Sequence, residues 1–299
     1  MKICLNKYLL LLLTTTGLMS CRPSPQAEAM HPALPVVDIY ADYPQKQMDV
    51  SGLAEVVYIP LSRKPYFENS SYYATFRGCV SEHLIVSRTW TEGDVEVFDH
   101  TGKKIGGFNR KGNSEEEYSD LFNMYMDNDR QEIWVKDSYQ HFKVYTLNGT
   151  FKRNVTLPER LNAEFFADYS RDSLLCYDDY QVVDGLNKNP NPFYLLSKED
   201  GGVQKITSVR VSQRLNNTEH FVLNLGDMQQ IVYYILTASP MQVCNRKAVL
   251  ADYAKDAVFI YQNGKTSPLF VRKPSVFASL PFILSSTDFM TDRFLFFSF

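Results

Sequence analysis

One strand, turn, strand unit occurs twice at the same spacing, and this repeat narrows the architectures open to the chain. Leu84-Ile85-Val86 leads into Asp94-Val95-Glu96-Val97-Phe98-Asp99 and turns at His100-Thr101-Gly102. Ile133-Trp134-Val135 leads into Phe142-Lys143-Val144-Tyr145 and turns at Leu147-Asn148-Gly149, placing the two turn glycines 47 residues apart. A period of this length with several strands in it marks a radial all-β repeat, in which four-stranded blades surround an axis. Two further runs end in turns of the same kind: Phe193-Tyr194-Leu195-Leu196 before Asp200-Gly201-Gly202, and Val258-Phe259-Ile260-Tyr261 before Asn263-Gly264-Lys265. Each sets a β-branched or aromatic run beside residues that accept positive φ. The intervals widen from 47 to 52 and then 63 residues, which calls for insertions; residues 184–192 and 211–220 have the composition of inserted loops. The expected blades cover 80–108, 120–157, 165–207 and 220–270, with 281–299 opening a fifth.

Composition agrees with a large β core and limits the partners. Hydrophobic residues make up 44% and aromatic residues 14% of the 299, ample for several packed sheets. Lysine and arginine number 31 against 34 acids, and a net charge of -3 provides no field to draw a polyanion, so nucleic acid is not an expected partner.

The first twenty residues have the pattern of an export signal. Lys2 and Lys7 supply a positive start, Tyr8 to Leu13 an apolar run too short to span a bilayer, and Leu18-Met19-Ser20-Cys21 a small residue just before a cysteine. That tetrad resembles the lipobox of bacterial lipoproteins. The resemblance implies cleavage before Cys21 and a lipid on its sulfur, with residues 1–20 as signal, 21–49 as lipidated N-terminus and tether, and 50–299 as the propeller. Arg22-Pro23-Ser24-Pro25-Gln26 supports the tether, because prolines exclude helix and little there is apolar. Arg22, where such proteins carry Asp for inner-membrane retention, points to the outer membrane; surface-exposed lipoproteins of Bacteroidetes type carry a short acidic or lysine-containing run here, and with only Glu28 nearby the expected anchor faces the periplasm, the alternative being the cell surface.

Cys79, Cys176 and Cys244 remain after the signal and the lipidated residue are set aside. All three sit in strand-like settings as small hydrophobes, and one disulfide among them is the alternative. No GxSxG elbow, HExxH or GxxxxGK is present, and the five histidines show no ligand spacing. Asp127-Asn128-Asp129 with Glu132 has oxygen ligands at alternate positions, yet it lacks the glycine of a calcium loop and reads better as a turn. Asp178 and Asp179 are adjacent on an expected strand and so face opposite sides. Neither a metal nor a cofactor is expected.

The segment from Ile133 to Tyr145, closing at Asn148-Gly149-Thr150-Phe151, resembles one blade of the NHL and TolB-like six-bladed propellers. Arg110-Lys111-Gly112-Asn113-Ser114-Glu115-Glu116-Glu117-Tyr118 resembles the loop between blades in six-bladed propeller lipoproteins of Bacteroidetes type, keeping Gly112, Glu117 and Tyr118 of its pattern. The resemblance implies an all-β propeller of four-stranded blades, six-bladed in type, at the cell envelope. Only four units and the apolar Phe294-Leu295-Phe296-Phe297-Ser298-Phe299 of a fifth can be counted. Two readings fit that count: a ring incomplete at its C-terminus, whose last blade residues 50–61 would have joined, or a closed five-bladed ring.

Loops between blades are where propellers bind. Arg88, Trp90, Arg110, Tyr118 and Tyr139 lie in or beside such loops and are the candidate ligand-binding residues. Two function classes follow. The first is a noncatalytic binding or protein-interaction module, attached to the membrane by its lipid and presenting a propeller face to a protein, peptide or glycan. The alternative is an envelope hydrolase or lyase acting on a glycan or peptide, with acids drawn from separate blades; the missing motifs favour the first.

Overall fold

The computed structural model describes residues 34–43, 55, 57–62, 78–81, 83–89, 92–121, 123–137, 140–159, 161–178, 182–183, 186–187, 189–213, 218–225, 228–235, 239–278, 286–290 and 295–298. The compact unit opens at Val36, ahead of the boundary expected at residue 50. Its first strand, β1 (Val36–Asp38), explains the difference, because it pairs in parallel with a strand near the far end of the chain.

Four blades follow in chain order, each an antiparallel sheet running from inner to outer strand. Blade 1 is β2 (Gly78–Val80), β3 (Leu84–Arg88), β4 (Asp94–Asp99) and β5 (Lys104–Asn109). Blade 2 is β6 (Asn123–Asp127), β7 (Glu132–Lys136), β8 (His141–Thr146) and β9 (Phe151–Thr156). Blade 3 comprises β10 (Phe165–Ser170), β11 (Ser173–Tyr177), β14 (Phe193–Ser197) and β15 (Val203–Lys205), with the small hairpin of β12 (Val182–Val183) and β13 (Leu186–Asn187) between its second and third strands. A separate hairpin, β16 (Thr218–Leu225) with β17 (Met228–Ile235), precedes blade 4. Blade 4 is β18 (Met241–Cys244), β19 (Lys247–Leu250), β20 (Ala257–Gln262) and β21 (Lys265–Lys273), with β1 added outside β21. Finally β22 (Ser286–Met290) and β23 (Leu295–Ser298) form a two-stranded hairpin packed on blade 4.

Strand periodicity explains how the blades stack. Successive side chains point to opposite faces, so a strand sandwiched between two neighbours is apolar at every position. In β7, Ile133 and Val135 pack toward Leu84, Val86 and Val97 of blade 1. Trp134, between them in sequence, packs toward Leu174, Cys176 and Tyr194 of blade 3. β11 repeats the arrangement, with Leu174 and Cys176 facing blade 2 and Leu175 and Tyr177 facing Met241, Ala248 and Tyr261 of blade 4. In β19, Val249 faces the last hairpin through Met290 and Leu295, whereas Ala248 and Leu250 face blade 3. Trp134 is fully buried, and truncating it to alanine would cost about 3–5 kcal/mol.

The turn glycines that define the repeat all adopt positive φ: Gly102 (83°), Gly149 (80°), Gly201 (74°) and Gly264 (74°). Gly102 carries a second constraint, since a Cβ there would lie 2.0 Å from the Pro60 carbonyl oxygen.

Two expectations are corrected. The fourth blade occupies Met241–Lys273 rather than 220–270, because β16 and β17 pair with each other and join no blade sheet. This hairpin extends the insertion expected at 211–220 and accounts for the widest interval. Among the described residues of 50–61, none forms a strand of the last blade; the chain there runs along the β4–β5 turn, where the Ser62 amide donates to the Gly102 carbonyl at 2.7 Å. The N-terminal strand that does join a sheet is β1, on the outer edge of blade 4. Cys79, Cys176 and Cys244 are free thiols.

Candidate functional site

Antiparallel alternation divides the connections between strands into two sets. At one end of the sheets lie tight turns, such as 171–172, 245–246 and 263–264. At the other end lie the connections between second and third strands and those between blades, among them 110–122, 178–192 and 206–240. Both inserted hairpins belong to this second set, and so do Arg110 and Tyr118, while Arg88 ends the strand that leads into it. We call this the loop end.

Charged groups at the turn end lock blade 2 to blade 3. The Lys198 side chain is fully buried and its Nζ lies 2.8 Å from Asp127 Oδ2, also fully buried, and 2.8 Å from Asp168 Oδ1. Asp127 Oδ1 accepts from the Arg130 amide at 3.0 Å. Glu132 takes a two-pronged bond from Arg153, at 2.9 and 2.8 Å, and a bond from Lys152. Burial works to raise the Glu132 carboxyl, but these bonds and charges outweigh it and hold the group at about 2. Both end carboxylates of the Asp127-to-Glu132 stretch are therefore engaged by lysine and arginine within an ordinary strand-to-strand turn. Among the described residues, no three His, Cys, Asp or Glu side chains gather as a metal site requires.

At the loop end, side chains from one blade clasp the connection to the next. The Tyr118 hydroxyl donates to the Gly93 carbonyl at 2.6 Å and accepts from the Arg110 amide at 3.0 Å. Its ring is fully buried and packs edge-on to Tyr145, so Tyr118 is placed as a clasp within the blade 1–blade 2 seam rather than on a ligand-facing surface. Burial also pushes its hydroxyl up to about 12. Arg110 is exposed and directs Nε to the Gly149 carbonyl at 2.9 Å, over the tight turn of blade 2. Arg88 donates through Nη1 to the Leu121 carbonyl. The structure thus brings Arg110 and Tyr118 together through the main chain and aims the two guanidinium groups at different carbonyls. Trp90, Tyr139 and Cys21 lie outside the described residues.

The loop resemblance acquires a physical reason here. Glu117 accepts from the Ser114 amide at 3.0 Å, which lowers its carboxyl, and a Cβ on Gly112 would lie 2.1 Å from that carboxylate. Gly112, Glu117 and Tyr118 are the residues that close this loop on itself. The carbonyls of Glu115 and Glu116 accept from Lys143 Nζ at 2.6 Å and Tyr145 Oη at 2.8 Å.

Further along the same end stand polar residues that, Asp178 apart, sequence reasoning passed over. Asp137 accepts from the Ser119 amide at 2.6 Å. Lys136 Nζ lies 3.3 Å from Glu164 Oε2, and Asn162 Nδ2 lies 3.4 Å from the same oxygen. The fully buried Asp178 accepts from Asn189 Nδ2 at 2.8 Å, and Tyr177 donates to Asp252 at 2.9 Å. A lysine closing the otherwise apolar Ile133-Trp134-Val135 run was the available signal for Lys136.

Four-stranded meanders stacked face to face in chain order, with elaborated connections gathered at one end, define a β-propeller protein. Within that class, the chain belongs to the six-bladed β-propeller family DUF5128, whose model matches residues 25–263. A candidate exported protein of Bacteroides fragilis has a similar fold, at a TM-score of 0.52 and 11% identity over 80% of this chain and 59% of its own. A DUF4221 family member from Bacteroides vulgatus gives a TM-score of 0.46 at 12% identity, over 72% of this chain and 61% of its own. A streptogramin B lyase gives 0.34 at 11%, over 67% and 70%. The chain spans about three fifths of the length of the first two structures. No curated protein matches the sequence.

Proposed function

We propose that this propeller is a noncatalytic binding module of the cell envelope, anchored to the outer membrane by lipid on Cys21 and presenting its loop end to a protein, peptide or glycan. The observation that carries this reading is the unequal treatment of the two ends. Turns between strands stay short at one end, while both inserted hairpins emerge at the other, where among the described residues hydrogen bonds across the seams fix the main chain. Preformed loops on a rigid scaffold bind without a large ordering cost. The sequence of residues 18–21 supports the anchor, Arg22 supports the outer membrane, and the lack of an acidic or lysine-containing run beyond Glu28 supports the periplasmic face.

Affinity capture from envelope extracts tests the surface. A partner recovered repeatedly by the wild type should be lost from Arg88→Ala, beside the Leu121 carbonyl at the loop end, and kept by Arg130→Ala, at the turn end. Equal recovery by all of them refutes the loop-end reading. Cell fractionation tests the anchor: Cys21→Ala should leave the membrane fraction, and continued retention would sink that part of the proposal.

A further inference from the structure

The chain contains two Asn-Gly pairs, Asn148-Gly149 and Asn263-Gly264, and the fold treats them oppositely. In blade 2 the Gly149 amide donates to the Thr146 carbonyl at 2.9 Å, and the Gly149 carbonyl accepts from Arg110 Nε at 2.9 Å. Gly149 is buried, and a Cβ there would lie 2.4 Å from the Phe108 Cβ. In blade 4, Asn263 and Gly264 form the two-residue loop between the paired Gln262 and Lys265, with φ of 51° and 74°, as a type I′ turn requires. Both residues are exposed, and apart from chain neighbours no atom lies within 4 Å of a Cβ placed on Gly264. The amides of Gly102, Gly149 and Gly201 donate to main-chain carbonyls, whereas that of Gly264 has no main-chain acceptor among the described residues.

We infer that Asn263-Gly264 is a self-modification site, at which the chain converts its own side-chain amide to an acid with water as the co-reactant. The Gly264 nitrogen bonds to Asn263 Cγ, the Cγ–Nδ2 bond breaks, and ammonia leaves with the proton that the glycine nitrogen gives up. Water then opens the resulting succinimide at one carbonyl to give aspartate, or at the other to give isoaspartate, in which the main chain continues through the side-chain carboxyl. Glycine has no Cβ to obstruct the attack, and the open surroundings let the turn rotate toward it. The two products differ in consequence. Aspartate keeps the turn, since Asp-Gly fits type I′ as Asn-Gly does. Isoaspartate inserts a methylene into a loop whose length sets the register of β20 and β21. The Tyr169 hydroxyl of blade 3 hydrogen-bonds the Asn263 main chain, and its ring lies 5.4 Å from that of Tyr261. A shift of that main chain therefore loosens the blade 3–blade 4 seam at the turn end.

The test ages the full-length protein in detergent at pH 8.5 and 37 °C, followed by peptide mass mapping and isoaspartyl methyltransferase labelling. Asn263 should convert about tenfold faster than Asn148, whose glycine amide must first give up a hydrogen bond. Unfolding in urea should bring the two rates together. The aged protein should melt roughly 2–4 °C lower, the effect of losing one hydrogen bond. Asn263→Gly keeps a pair suited to the turn and removes the reactive amide, so it should hold its melting temperature through the same incubation. Three outcomes would each overturn the site: Asn148 converting as fast as Asn263 in the folded protein, rates that stay apart in urea, or an unchanged Asn263 after an incubation that converts it in a synthetic peptide of residues 258–268. An equal fall in melting temperature in Asn263→Gly would overturn the link from isoaspartate to the seam.

Discussion

Replacing Lys198 with methionine tests how strongly charge ties blade 2 to blade 3. Methionine keeps the apolar stem and removes the ammonium, so the effect falls on its two carboxylate partners. Asp168 is half exposed and can turn to water, which leaves it a small share of the loss. Asp127 has no such recourse, being fully buried 2.8 Å from Nζ. Stranding one partner of a buried pair costs about 3–5 kcal/mol, more than the pair is worth against an apolar replacement. The expected fall in melting temperature is roughly 6–20 °C. Adding Asp127→Asn removes the stranded charge and retains an Oδ1 for the Arg130 amide, now accepted at 3.0 Å. The double variant should therefore recover to within about 1.5 kcal/mol of wild type, a coupling of at least about 2 kcal/mol in a double-mutant cycle followed by urea unfolding. A single-variant loss below about 1 kcal/mol, or simple additivity of the two changes, would refute the argument from burial.

Tyr118→Phe keeps the ring but leaves the Gly93 carbonyl and Arg110 amide without the hydroxyl, so unfolding should show a loss of about 1–3 kcal/mol. Glu132 is held at about 2 when folded against 4.5 ordinarily, so its contribution is complete above pH 4.5 and disappears as pH falls toward 2. The stability gap between wild type and Glu132→Gln, measured by urea midpoints at pH 6, 4 and 2, should accordingly narrow with acidification. Burial raises the Cys79 thiol to about 11 and raises Cys176 further, so iodoacetamide at pH 8 should label the half-exposed Cys244 first, as peptide mass mapping would show.

The repeat was legible because its punctuation is local. Gly102, Gly149, Gly201 and Gly264 all take the positive φ that made them turn candidates, and the alternating residues of β4 and β8 needed no long-range information. Blade 4 was misplaced because β16 and β17 carry the same apolar strand pattern as a blade. Only their pairing with each other separates them from it, and pairing is a non-local property. Tyr118 looked like a loop aromatic for a related reason: nothing in a linear sequence shows that Gly93 and Tyr145 close around it. Lys136 and Glu164 come from different blades, and no spacing rule connects them.

The two-faced strands reverse the usual relation between distance along the chain and thermodynamic dependence. Ile133 and Trp134 are covalent neighbours, yet they belong to separate hydrophobic clusters and share few partners. Trp134 and Cys176 are remote in sequence and occupy the same cluster. Substitutions at the first pair should act almost independently, and those at the second should be epistatic. Evolution of the chain is then constrained seam by seam, with compensating changes paired across adjoining blades. Adjacent codons within a middle strand should thus answer to different seams.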